Sequence, residues 1–210
     1  WANAGEIAGN SIDDDGNGFV DDSWGWDFVT GDNNPFDGHG HGTHVAGIAA
    51  AVGDNGIGVL GVAPRAKIMS VRIFSGEEQS SGGAEAIVYA AESGADVINN
   101  SWGLRAVPGG SALDDAVDTA LVLGSIVVFA GDNGDFGLTP TPWWRHPDAI
   151  SVSMARPPFG AFPFSASDVD IAAPGRDVLS LRGGTGMNGP TIGSNYVVGS
   201  GTSMAAPHVA

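Results

Sequence analysis

Two segments carry reactive side chains in surroundings suited to using them: GHGHGTHVAGIAA around His41 and GSGTSMAAPHVA around Ser203. Each sets its side chain among glycines and just ahead of a run of small apolar residues. A hydroxyl is a weak nucleophile until a neighbouring imidazole takes its proton, and a helix N-terminus offers unpaired N–H groups to a developing oxyanion. Small neighbours let backbone and substrate approach closely. Pro207 falls in or at the edge of the first turn, where its missing N–H costs little. Alone, Ser203 reads as a helix N-cap and His41 as a loop or core histidine. Together they change those odds.

A second chemical signal is acidic. The run Asp13-x-Asp15-x-Asn17-Gly18-x-x-Asp21-Asp22 sets oxygen ligands at positions 1, 3, 5 and 9 of a loop with glycine at position 6, the spacing of an EF-hand loop, and the Phe19 carbonyl is a further ligand. Position 12 is Trp24 in place of the bidentate Glu, which predicts a compact calcium loop other than a true helix-loop-helix hand. Asp27, Asp32 and Asp37 form a second cluster just ahead of His41. His39, His44, His146 and His208 have no carboxylate at supporting spacing and read as pocket-edge or core histidines, not as zinc ligands.

These residues sit in a chain of 210 residues, 42% hydrophobic, long enough to bury a core as one domain. Eight Lys and Arg stand against 24 Asp and Glu, a net charge of −16, which disfavours nucleic acid and anionic membrane surfaces as partners. The longest apolar run, 120–131, is broken by Gly124 and Ser125 and falls short of the roughly 20 residues that span a bilayer. Cysteine is absent, excluding disulfides, thiolate metal sites and a Cys nucleophile. Eight of the 19 Asp lie in the first 37 positions and no Lys or Arg precedes Arg65, so the acidity is concentrated and asks for cations. A chain that opens on Trp1 and stops at Ala210 inside an apolar pattern reads as a piece of a longer protein.

The stretch from Trp1 to Gly42 is mostly Gly, Asp and Asn and predicts ordered loops. Helices are expected over 44–52, 83–93 and 111–124, with Gly94 as C-cap of the second and Ser111 as N-cap of the third. Strands are expected at AKIMSVRIF, ADVINNSWG, SIVVFAGDNG, AISVSM and VDIAAPG. Their alternation with helices implies parallel βαβ units, hence an α/β fold: a doubly wound, mainly parallel sheet with helices on both faces and a ligand site at the carboxyl ends of the strands.

HGTHVAG and GTSMAAPHVA are similar to the His and Ser signatures of the subtilases, the subtilisin-like serine peptidases, and INNSWG, VVFAG and VDIAAPG resemble further family blocks in the family's order. The resemblance implies a calcium-stabilised, secreted or extracellular serine endopeptidase, a monomer acting on protein or peptide substrates through a Ser-His-Asp triad, with a pro-segment upstream. Ser203 is then the nucleophile, His41 the base and the Ser203 N–H an oxyanion donor. Ser101, Trp102 and Gly103, with Phe129, Ala130 and Gly131, are the two substrate-binding segments. The 27–37 cluster resembles a calcium loop of one branch of the family, with Thr30 where an acidic ligand is expected, and Asn55 in GDNGIGVLGVAP, a third candidate, resembles the family's high-affinity calcium loop.

Two departures accompany the resemblance. No apolar strand precedes any Asp before the His motif, so the triad Asp is expected in residues upstream of Trp1, and the fragment alone is expected to be inactive. At the side-chain oxyanion donor the family reads Ala-Gly-Asn, whereas this chain reads Ala130-Gly131-Asp132-Asn133, leaving Asp132 and Asn133 as rivals for that slot. The alternative function is a catalytically weak or inactive subtilase-like domain that binds peptide or calcium.

Overall fold

The computed structural model describes residues 1–75, 78–79, 82–102, 111–131, 133, 146–156, 160–161 and 169–210. Its first forty residues are turns, as their Gly, Asp and Asn content predicts, apart from one short strand, β1 (Gly25–Asp27). Helix α1 (His41–Ala50) begins three residues before the apolar periodicity does. The reason is Gly40, whose left-handed φ of 101° turns the chain into the helix where a Cβ would collide with the Gly183 carbonyl.

The single strand expected at AKIMSVRIF is divided into β2 (Ser70–Arg72), parallel to β1, and β3 (Phe74–Ser75), which pairs antiparallel with β4 (Glu78–Gln79). Helix α2 (Gly83–Glu92) follows and ends as predicted: Gly94 takes a φ of 81°, and the Ala95 N–H closes on the Ala90 carbonyl at 3.0 Å. Next come β5 (Val97–Asn100), α3 (Ser111–Val122), β6 (Ile126–Ala130), β7 (Ile150–Arg156), β8 (Gly160–Ala161) and β9 (Ile171–Pro174). Strands β5, β6, β7 and β9 lie parallel side by side, and only β8 runs antiparallel, against the end of β7.

Successive strand side chains point to opposite faces, and β6 uses both. Val127 and Phe129 join Ile87, Leu113, Val117 and Ala120 of α2 and α3 in one buried cluster. Val128 and Ala130 join Val152, Met154 and Ala173 in a second cluster, which is capped by Ala205 and Ala206. Helices therefore cover both faces of a mainly parallel sheet, the doubly wound α/β architecture the alternation predicts. Beyond it, β10 (Val178–Leu181), β11 (Thr191–Ile192) and β12 (Tyr196–Gly199) make an antiparallel sheet that the motif reading did not anticipate. Helix α4 (Thr202–Ala205) then runs into a 3₁₀ turn (Ala206–His208) that holds Pro207.

Candidate active site

Each motif places its side chain at the start of a helix. His41 opens α1, and Ser203 is the second residue of α4. Far apart in sequence, the two line a single cavity of about 470 Å³, with Asn133 and Met204 in the same wall.

Asp37 holds the His41 end. One of its oxygens accepts the N–H groups of His39 (3.1 Å) and Gly40 (2.7 Å), and the other accepts the N–H (2.8 Å) and hydroxyl (2.7 Å) of Thr43. It thus does the N-capping that Gly40 cannot do. Burial pushes the Asp37 carboxyl up, but those donors outweigh it and hold the group below the ordinary carboxylate range. With both oxygens engaged, Asp37 does not bond the imidazole. Burial, first, then the neighbouring His39 and His44, push His41 down to about 4, against a smaller upward pull from Asp37. The ring packs on Phe74, centroids 5.6 Å apart, and among the described residues has no hydrogen-bond partner. At neutral pH it is the uncharged imidazole that a base must be.

At the other end, Ser101 and Ser203 are bonded reciprocally: Ser101 Oγ donates to the Ser203 carbonyl (2.8 Å), and Ser203 Oγ donates to the Ser101 carbonyl (3.2 Å). Asn133 Oδ1 accepts the Thr202 N–H (2.8 Å), and Thr202 Oγ1 also bonds the Gly131 carbonyl. Ladder pairing of β5 with β6 stops at Asn100 opposite Phe129, so Ser101–Trp102 and Ala130–Gly131 continue beyond the ladder, with Ser101 bonded to Ser203. Phe129 is buried against Trp102, and the Gly131 N–H is already taken by the Val152 carbonyl (2.8 Å). Gly103 and Asp132 lie outside the described residues.

In the acidic loop the fold brings Asp13 and Asp15 together with Glu6, one carboxylate oxygen of each lying within 4.8 Å of the others. Glu6 was not among the candidates. It precedes the run by seven positions, and only the turns through Gly9 and Ser11, both at positive φ, fold it back. The other candidates are placed differently. Asn17 bonds Asp15 and Asp22 through its amide, and its Oδ1 accepts the Phe19 N–H. Asp21 accepts the N–H groups of Gly9, Asn10 and Ser11. Asp22 is fully buried and accepts from Asn3, Asn17 and the Tyr89 hydroxyl (2.7 Å). Burial, then that carboxylate, push the Tyr89 phenol far up. Asp27 is buried and ion-paired with Arg72, while Asp32 bonds the Asn34 N–H. Asn55 accepts the Ile57 N–H (3.0 Å).

The remaining histidines are structural or peripheral. His44 sits inside with Nε2 between the Val178 and Val197 carbonyls, His208 bonds the Met204 carbonyl, and His146 pairs with Asp118.

The Subtilase family profile matches residues 4–210, and the chain belongs to that family. It is 42% identical over 189 residues to thermitase of Thermoactinomyces vulgaris and 40% identical over 195 residues to Subtilisin E of Bacillus subtilis (strain 168), in each case over 89% of this chain. It spans 64% of the first relative and 48% of the second. Among solved structures it superposes on fervidolysin from Fervidobacterium pennivorans, a keratinolytic enzyme related to subtilisin, with a TM-score of 0.72 and 32% identity, over 88% of this chain and 31% of that one.

Proposed function

We propose that the protein carrying these residues is a serine endopeptidase acting on protein or peptide substrates, as a secreted or extracellular monomer. The observation that carries the reading is the shared cavity of His41, Ser203 and Asn133. Ser203 Oγ leaves the Ser101 carbonyl, gives its proton to His41 and attacks the scissile carbonyl, and His41 then passes that proton to the leaving amine. The Ser203 N–H and Asn133 Nδ2 receive the oxyanion. The acyl side of the substrate runs in extended form between 101–102 and 130–131.

The carboxylate that orients His41 comes, in this reading, from outside residues 1–210. Strands β2 and β5 each keep one edge without a ladder partner among the described residues, while Val71 and Ile98 pack in one cluster. A further parallel strand between them would carry it. Without that group the loss in kcat is on the order of 10⁴, so residues 1–210 alone are inactive.

Calcium completes the proposal. The all-oxygen set of Glu6, Asp13 and Asp15 suits a hard cation. Bound there, calcium would offset two of the three carboxylate charges and tie the first turns of the chain together.

The experiment is phenylmethylsulfonyl fluoride treatment of the full-length protein during peptide hydrolysis, followed by mass mapping. Loss of activity with the adduct on Ser203 is expected. Full activity with Ser203 unmodified overturns the assignment. A second reading, a peptide-binding domain without turnover, is favoured by the lack of a hydrogen-bond partner for the His41 ring among the described residues. It would show peptide binding without hydrolysis in the full-length chain.

A further inference from the structure

The wall of the cavity that holds His41 and Ser203 contains one carboxylate with no part in the reaction above. That group is Asp177, the only acidic residue in the lining among the described residues. It sits in the turn between β9 and β10 with a φ of 53°, a left-handed conformation uncommon outside glycine. Its backbone N–H donates to Ser200 Oγ (2.9 Å), and that hydroxyl donates to Asp177 Oδ1 at a long 3.4 Å. The turn is thereby fastened to the residue two before α4 begins. Arg176 Nε reaches Oδ2 at 3.4 Å, but the two side chains are 41% and 73% exposed, so the pair holds weakly, and Arg176 is not part of the cavity wall.

The position of the cavity decides which part of a substrate meets Asp177. None of Ser101, Trp102, Phe129, Ala130 and Gly131 lines it. It opens instead on the other flank of Ser203, against the β10–β12 sheet. A peptide whose acyl side follows 101–102 and 130–131 therefore sends its leaving-group side past Asp177. We infer that Asp177 is a specificity determinant for that side, selecting Lys or Arg at the first or second position after the cleaved bond. The cation pairs with the Asp177 carboxylate, and Met187 and Pro190 of the same wall cover the alkyl stem. This inference rests on the proposed peptidase reading.

The test is kcat/KM in the full-length protein for peptides identical except for Lys or Gln at each of those two positions. Lys is expected to be preferred about two- to fivefold at one position, the range of an exposed ion pair. The preference shrinks in 1 M salt, where the Debye length is about 3 Å, and falls to about one in Asp177→Asn. Asparagine tolerates the left-handed φ, so the variant keeps the turn. Equal rates for each pair, or a preference that survives Asp177→Asn, overturn the inference and leave the peptidase reading standing. Hydrolysis of none of the peptides overturns both.

Discussion

Asn133 Oδ1 accepts the backbone N–H of Thr202 at 2.8 Å, and this contact fixes which way the amide faces. A backbone N–H can only donate, so the oxygen must lie toward Thr202, and Nδ2 is left on the other arm of the amide of a residue that lines the same cavity as Ser203. Replacing Asn133→Ala should lower kcat by about 10²- to 10³-fold with KM nearly unchanged, since the lost donor acts on the oxyanion and not on the bound substrate. Asp132→Asn should be nearly neutral. Steady-state kinetics of both variants across pH checks the pair of expectations.

His41 makes folding sensitive to acid in a definite direction. Unfolded, its imidazole titrates at about 6.5; folded, burial and the adjacent His39 and His44 push it down to about 4. Between those values the unfolded chain binds a proton that the folded chain refuses. Stability is therefore full above about pH 6.5 and falls as pH drops toward 4, by up to about 1.4 kcal/mol per pH unit for one such group. Burial lowers His44 as well, and it adds to the same trend. Melting temperature measured from pH 8 to pH 4 should decline, and His41→Gln should make the decline shallower.

Asp37 should matter for stability and for activity together. Asp37→Ala leaves the N–H groups of Gly40 and Thr43 at the start of α1 without their acceptor. A cost of about 1–2 kcal/mol is expected, or about 2–4 °C in melting temperature per kcal/mol for a chain of this size. Because His41 begins the same helix, kcat should fall too. Calorimetry and kinetics on Asp37→Ala and Asp37→Asn would show it, with Asn the milder change because it keeps one acceptor.

Calcium and the acidic residues separate into two groups. Chelation with EDTA should lower the melting temperature, since a site at 100-fold excess over Kd contributes about 2.7 kcal/mol. Glu6→Gln and Asp13→Ala should abolish most of that calcium dependence. Asp27→Asn should cost roughly 3 kcal/mol with or without calcium, because the carboxylate is buried against Arg72. Melting curves of the three variants with and without the ion distinguish the two behaviours.

The elements that carry the site were legible because their signals are local. The 3.6-residue spacing of Ala86, Ile87 and Ala90 gives α2, Gly94 ends it, and the unbroken apolar run of β6 marks a strand buried on both faces. The β10–β12 sheet was not legible, since its short strands are held by pairing across the chain, as Val178 with Gly199, rather than by any pattern of their own. The opening loop behaves likewise: which of its eight Asp gather depends on turns at positive φ that one-dimensional spacing does not encode.

His41 and Ser203 were singled out as candidates by sequence alone, because a reactive side chain flanked by glycines and small apolar residues is a pattern written within a dozen positions. Their meeting in one cavity was decided by the tertiary structure, through the strands and helices that carry α1 and α4 together. So were the placement of Asn133, held by a hydrogen bond to Thr202 across 69 residues, and the division of carboxylates between Asp27, paired with Arg72 across 45, and Glu6, gathered with Asp13 and Asp15. A carboxylate's role follows from the donors around it, and those donors come from distant segments that only the folded chain brings near.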